Sequence, residues 1–341
     1  MSISYLTEAR NALFSALEAL EGLSPGAKAA VRRDVRLRPP KARHLGDLST
    51  NAAILLKSME NIDFDRATKN LVSGFETLPG IKEVRLEQNG YINIRYSADF
   101  WGRQVSLILM EGVRYGLEDL AVDCAEIPAP AAVIDLYSYR DQANLEALER
   151  LAALTGGRVE PISSAPREAA GFPLAAAIGK CTEEKTRFAL LANPPGFIDA
   201  FSPILAIDRS YGNPVFAIPY ARMMLQRLGV GGNQAKAGAN NGVDMSVLKL
   251  PVEMELARAL CGWPPAVAAC LRKGDSFYLA SFLETLSLLF FRLFEGVHPV
   301  SSAYLTETAE GPARFALLGA LDKILDGGTT VLGVERVKEY G

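Results

Sequence analysis

The chain has 341 residues, 49% of them apolar and 22% charged. That is the balance of a folded protein of two or three domains, which excludes disorder and collagen-like repetition. A net charge of −3 excludes a global cationic field, so any nucleic acid has to be held by local patches and stacking. Four cysteines (Cys124, Cys181, Cys261, Cys270) form no C-x-x-C pair, and His44 and His298 are the only histidines. No metal and no cofactor are expected. Met1 to Arg10 lacks a secretory pattern. The most apolar stretch, Phe277 to Phe294, is interrupted by Ser281, Glu284, Ser287 and Arg292, so a cytoplasmic chain without a membrane span is expected.

Helical spacing of Leu6, Ala9, Leu13, Leu17 and Leu20 predicts a helix over Ile3 to Leu23, ended by Ser24-Pro25-Gly26. A basic stretch follows (Arg32, Arg33, Arg36, Arg38, Lys41, Arg43). HLGDLSTNAAILL then reads as a polar loop feeding a helix capped by Ser49 or Thr50. A further helix covers Arg66 to Thr77. KEVRLEQ and GYINIRYS read as two strands joined through Asn89-Gly90, and ADFWGRQVSLILMEGVRYG as an amphipathic helix.

In the middle, AAVIDLY (131–137) reads as a buried parallel strand, QANLEALERLAALTGG as a helix and RVEPI as a second strand. This is one βαβ unit, too small to be a nucleotide-binding domain by itself. Leu174 to Ala192 reads as helix, as does Val215 to Leu228. Gly229 to Asp244 is a linker, and the remainder to Leu325 is helical with periodic apolar faces.

HLGDLSTNAA resembles the HGDYATNAA-type segment in the N-terminal domain of class I arginyl-tRNA synthetases, and GYINIRYSADFWGRQVSLILMEGVRYG continues the likeness. NPVFAIPYARMM is similar to that family's NPVYYVQYAHAR segment, and the end, RFALLGALDKILDGGTTVLGV, resembles its anticodon-binding domain. The resemblance implies an α+β N-terminal domain (1–118), a small α/β remnant of a Rossmann-like core (119–190), connecting helices (191–230) and an all-α C-terminal DALR-like anticodon-binding helical bundle (240–341).

The centre departs from the family pattern. The expected strand passes through Ser138-Tyr139-Arg140 into its helix with no HIGH-type histidine. The best counterpart of the lysine-bearing KMSKS-like loop, SSAPREAAGF (163–172), has no lysine. Arg140 reads as a solvated side chain, and no catalytic residue is expected.

On the strand at 91–96, alternation puts Tyr91, Asn93 and Arg95 on one face and Ile92, Ile94 and Tyr96 on the other. A ring, an amide and a guanidinium side by side toward solvent suit an unpaired nucleotide. The resemblance adds that the family reads a D-loop base with an aromatic and an amide two residues apart, which Tyr91 and Asn93 match. Asn89, Tyr91, Asn93 and Arg95 are therefore the candidate tRNA-binding residues. His44 and Asp47 are expected to fix the loop. Phe277, Tyr278, Phe282, Phe290, Phe291 and Phe294 read as core, with Arg272, Lys273, Arg292 and Arg314 as weak phosphate candidates. Gly296 stands where the family tends to carry asparagine.

The reading is a non-catalytic paralogue that binds tRNA, arginine tRNA first, or another structured RNA. A protein-interaction scaffold and an enzyme completed in trans remain open.

Overall fold

The computed structural model describes residues 4–59, 62–118, 120, 122, 124–164, 172–230, 243–295, 305 and 308–334. Most of the expected linker, Gly296, and all but the ends of 163–172 lie outside these residues. The chain divides into two compact units, one holding Ile3–Arg103 and Asp244–Ser246 and the other the rest.

In the first unit, α1 (Tyr5–Glu18) begins at Ser4, whose Oγ accepts the Leu6 N–H at 3.3 Å. It buries Ala9, Leu13, Ala16 and Leu17, the inner stripe of an amphipathic helix. Ser24-Pro25-Gly26, expected to end a helix, starts another one. In α2 (Pro25–Asp34) Ser24 is the N-cap, and Pro25 sits where a helix has no use for its missing N–H. Arg32 and Arg33 are therefore helical.

Strands β1 (Leu37–Arg38), β2 (Leu48–Thr50), β3 (Ile81–Leu86) and β4 (Ile92–Tyr96) form an antiparallel sheet in the order β1-β2-β4-β3. The DLST segment, expected as loop, is thus largely a strand inserted beside β4. With three residues it is too short to announce itself by alternation. Gly46 makes the insertion possible: its φ is +144° and a Cβ there would lie 2.7 Å from the Ile94 carbonyl oxygen. Asp47 secures it, donating its N–H to that oxygen at 2.8 Å and accepting the Tyr96 N–H on its carboxylate at 2.8 Å. Helix α3 (Ala52–Lys57) has Asn51 at its N-cap rather than Ser49 or Thr50. Helices α4 (Phe64–Glu76) and α5 (Ala98–Glu111) complete the elements, and the unit boundary falls within α5. Ile92, Ile94, Leu48, Leu71 and Phe75 are fully buried, and Tyr96 stacks on Phe100 at 4.0 Å.

The second unit opens with β5 (Ile127–Pro130), α6 (Leu136–Leu154) and β6 (Pro161–Ser164), the two strands parallel. The βαβ unit expected from the sequence is present, but its first strand precedes AAVIDLY. Val133 and Ile134 of that segment are exposed, and Leu136 and Tyr137 are already helical. The reason is a capping box: Asp135 accepts the Ser138 N–H at 2.7 Å while Ser138 Oγ accepts the Asp135 N–H at 3.0 Å.

The Ile127 N–H donates to Glu160 O at 3.2 Å. By the alternation of a parallel ladder, residues 128, 130, 161 and 163 then turn their backbone groups away from it. Three of these four are prolines.

Helices α7 (Leu174–Cys181) and α8 (Glu183–Leu191), expected as one, break at Thr182, whose φ is +78°. Then come α9 (Pro203–Ile207), α10 (Pro214–Arg227), α11 (Pro251–Leu260), α12 (Trp263–Lys273), α13 (Phe277–Leu293) and α14 (Gly311–Leu332). Helices α10, α11 and α12 pack on α13, and α10 and α11 also on α14. Among the described residues no helix is long and apolar enough to cross a membrane.

Candidate functional site

Across the sheet of the first unit, the residue opposite Asn93 on β2 is Ser49 and on β3 is Arg85, and Arg38 of β1 faces Ser49. Opposed residues share a face, so Arg38, Ser49, Asn93 and Arg85 form a polar row spanning all four strands. Over this face lies a cleft of about 720 Å³, a size that suits a small ligand or one nucleotide. One wall is Arg33, Arg36, Arg38 and Lys41. The opposite side carries Glu87, Asn89, Tyr91 and Asn93, with Ser49 and Asn51 between. The basic stretch and the strand face, separate in sequence, therefore meet, and the pairing of β1 with β2 brings them together.

Three of the four candidate residues line this cleft. Tyr91 is half-buried, and Asn89 Oδ1 accepts the Tyr91 N–H at 3.2 Å, which holds the turn. That turn is closed by the Gly90 N–H on Glu87 O at 2.8 Å, with Gly90 at φ +83° where a Cβ is disfavoured. Asn93 is only 5% exposed, not open to solvent as expected. It sits on a central strand, flanked by β2 as well as β3, and its Nδ2 donates to Glu87 Oε1 at 3.2 Å. Arg95 stands one step aside, at a hollow of about 170 Å³ shared with His44, Glu83 and Glu87, and its guanidinium donates to His44 O at 2.5 Å.

The cleft is charge-mixed. Arg33 grips Asp34 through two bonds of 3.0 Å, and this hydrogen bonding holds the Asp34 carboxyl below its usual range. Arg36, Arg38 and Lys41 make no side-chain ion pair among the described residues. The Arg36 backbone N–H is anchored on Asn51 Oδ1 at 2.7 Å. Glu87, Ser49 and Asn51 were missed in the sequence. Glu87 was within reach, because it lies two residues after Arg85 on the same face.

The centre is built differently. The N-terminus of α6, a natural anion site, is closed by the Asp135 carboxylate. Arg140, expected to be solvated, is 3% exposed. Its guanidinium donates to Leu190 O at 3.0 Å, Asn193 O at 3.3 Å and Asp275 Oδ1 at 2.7 Å. Asn144, one turn on, donates to Gly274 O at 2.9 Å and accepts the Ser276 N–H at 2.8 Å. Arg150 and Arg187 reach Val331 O and Leu332 O at 3.0 and 3.1 Å. No sequence pattern foretells these partners, which lie 50 to 181 positions away.

In the helical bundle Phe290 and Phe294 are core, as expected, whereas Tyr278 is 39% exposed. Arg314 is not a free phosphate contact: its Nε lies 2.6 Å from Glu253, itself fully buried. Arg292 pairs with Glu255 at 3.4 Å. Burial pushes the Cys261 thiol up to about 12 and raises that of Cys270, so neither is a nucleophile at neutral pH. Among the described residues no group of histidine, cysteine or carboxylate side chains could hold a metal ion.

Comparison with known proteins divides along the same units. The arginyl tRNA synthetase N terminal domain family matches residues 8–96, and the DALR anticodon binding domain family matches residues 230–339. Arginine–tRNA ligase of Rhodospirillum rubrum is 24% identical over 190 residues, 53% of this chain and 32% of that protein. The Ruegeria sp. enzyme is 29% identical over 163 residues, 45% and 28% respectively. The chain thus spans about a third of the length of these curated relatives. The solved Thermus thermophilus arginyl-tRNA synthetase matches with a TM-score of 0.68 at 10% identity, over 98% of this chain and 100% of that one. What is shared there is the fold.

Proposed function

We propose that this arginyl-tRNA synthetase-like chain, which carries that family's N-terminal domain and a DALR anticodon-binding domain, binds tRNA or a tRNA-like RNA without charging it, as an adaptor or regulator. The carrying observation is the cleft where Tyr91 and Asn93 face Arg36, Arg38 and Lys41. An aromatic ring supplies a stacking surface, an amide reads a base edge, and cations take phosphates. With a net charge of −3, attraction is confined to such a patch.

The absence of charging chemistry rests on the centre. Adenylation requires a preorganised clamp on the ATP phosphates. Here the helix terminus that would face them is filled by Asp135, and Arg140 is spent on Asp275 and two carbonyl oxygens. Neither His44 nor His298 lies near this segment in sequence, and 163–172 has no lysine. Completion by a strand from another subunit is disfavoured, because Pro128, Pro130 and Pro161 remove donors that an added strand would use.

Binding of the full chain to labelled arginine tRNA and to a non-cognate tRNA, across a salt series, tests the reading. The expected result is a cognate preference with a modest salt slope, lost in Tyr91→Ala/Asn93→Ala. Absence of binding at low salt, or binding indifferent to the double substitution, would refute it. Arginine-dependent pyrophosphate exchange is expected to be nil.

A second reading, a protein-interaction scaffold, draws on Ile204 and Ile207 of α9, which are 72% and 46% exposed. It predicts a stable protein complex with no salt-dependent RNA binding.

A further inference from the structure

We infer that Glu87 is a specificity-determining residue of the cleft and that the base it admits is an unpaired guanine. The inference rests on the proposed reading of the cleft as an RNA site and adds the identity of the base.

Glu87 stands at the end of β3, its N–H on Tyr91 O at 2.8 Å, and lines both the cleft and the adjoining hollow. Asn93 Nδ2 donates to its Oε1 at 3.2 Å. A carboxylate only accepts, so this bond fixes which way the Asn93 amide is turned. The Asn93 Oδ1 then has no bond among the described residues. The wall beside the Tyr91 ring therefore presents acceptors: the second carboxylate oxygen, spare capacity on the first, and the amide oxygen.

A base meeting such a wall must offer donors. Guanine carries two adjacent ones on its Watson–Crick edge, N1–H and N2–H, spaced to meet both oxygens of one carboxylate. Adenine and cytosine set a ring-nitrogen lone pair beside their amine, and uracil flanks its single N–H with two carbonyls. Each of these would turn a lone pair toward the Glu87 charge, which is unfavourable in a cleft partly shielded from water. The same carboxylate would repel RNA phosphates. The cross-strand row answers this, because Arg38 lies on one side of Asn93 and Arg85 on the other. A nucleotide with its base over the row's centre has Arg38, without an ion pair among the described residues, on one side and Arg85, already held by Glu83 at 2.5 Å, on the other.

Pentaribonucleotides of sequence UUNUU, with N varied, are titrated against the full chain by fluorescence anisotropy. The guanine oligomer is expected to bind at least about tenfold tighter than the other three, as charge-assisted hydrogen bonds warrant. Inosine, which lacks the N2 amine, and 1-methylguanosine should lose that preference, while 7-methylguanosine keeps it. In Glu87→Gln, with folding checked by circular dichroism, the four bases should fall within about threefold of one another, since an amide cannot accept on both arms. Equal affinities in the unsubstituted chain, or a guanine preference that survives Glu87→Gln, would overturn the inference. The RNA reading would then stand provided Tyr91→Ala still weakens binding. If no oligomer binds, or Tyr91→Ala has no effect on any of them, the cleft reading fails and takes this inference with it.

Discussion

The sheet face of the N-terminal unit and the βαβ segment of the other unit both gather arginines and amides, yet they dispose of them in opposite ways. Around Arg140 the guanidinium makes three bonds to two carbonyls and a carboxylate of the same chain, and Asn144 bonds Gly274 and Ser276 internally. Over β4, Arg36, Arg38 and Lys41 have no side-chain ion pair among the described residues, and the side-chain bond from Asn93 to Glu87 leaves acceptors outward. Polar groups that satisfy one another hold a structure together; polar groups left open toward a cleft await a ligand. The difference separates a centre closed on itself from a candidate binding surface, within a chain whose family-model matches leave residues 97–229 uncovered.

That contrast can be broken by substitution. Arg140→Ala takes the cation from the Asp275 carboxylate and leaves two carbonyl acceptors without their donor. It should cost about 3–5 kcal/mol in urea unfolding while leaving pentanucleotide affinity at low denaturant unchanged. Parallel losses of stability and affinity would mean the two regions are not separable.

Gly46→Ala reverses the signature at smaller scale. Its Cβ would meet the Ile94 carbonyl oxygen at 2.7 Å in a backbone conformation that suits glycine. The expected loss is about 1–3 kcal/mol, and because β2 and β4 floor the cleft, RNA affinity should fall with it. Intact affinity would show that the sheet face does not need β2 in register. The mildest change is Arg38→Ala. It should leave the melting temperature nearly unmoved and flatten the salt dependence of RNA binding by somewhat less than one unit of slope. An unchanged slope would remove Arg38 from the phosphate contacts.

Much of the architecture could be read in advance because it rests on periodicity. The apolar stripe of α1, the alternation of β4 and the aromatic run of α13 each repeat often enough to be seen. What escaped was short or non-local. β2 has three residues and β1 two, so no pattern could mark them, yet their pairing turned an expected hairpin into a central strand and buried Asn93. The start of α2 was concealed by a Ser-Pro-Gly triplet that serves equally well as a stop. The candidate residues Asn89, Tyr91 and Asn93 were legible because alternation and family likeness pointed to the same strand. Glu87 was overlooked although alternation from Arg85 places it on the same face, since its bond to Asn93 lies across the ladder. Arg140 and Arg314 were misread for the same reason, as each is defined by a carboxylate far away in the chain.

The prolines of β5 and β6 also bear on how this protein behaves in company. An isolated parallel pair with exposed Ile162 at 41% is the kind of strand edge on which chains stack and fibrils nucleate. Here a molecule arriving edge-on finds, among the outward positions of the two strands, a single N–H donor, that of Ser163, too few to complete a ladder. The pair can thus lie bare at high protein concentration without templating copies of itself, a colloidal safeguard written into the residues that flank α6.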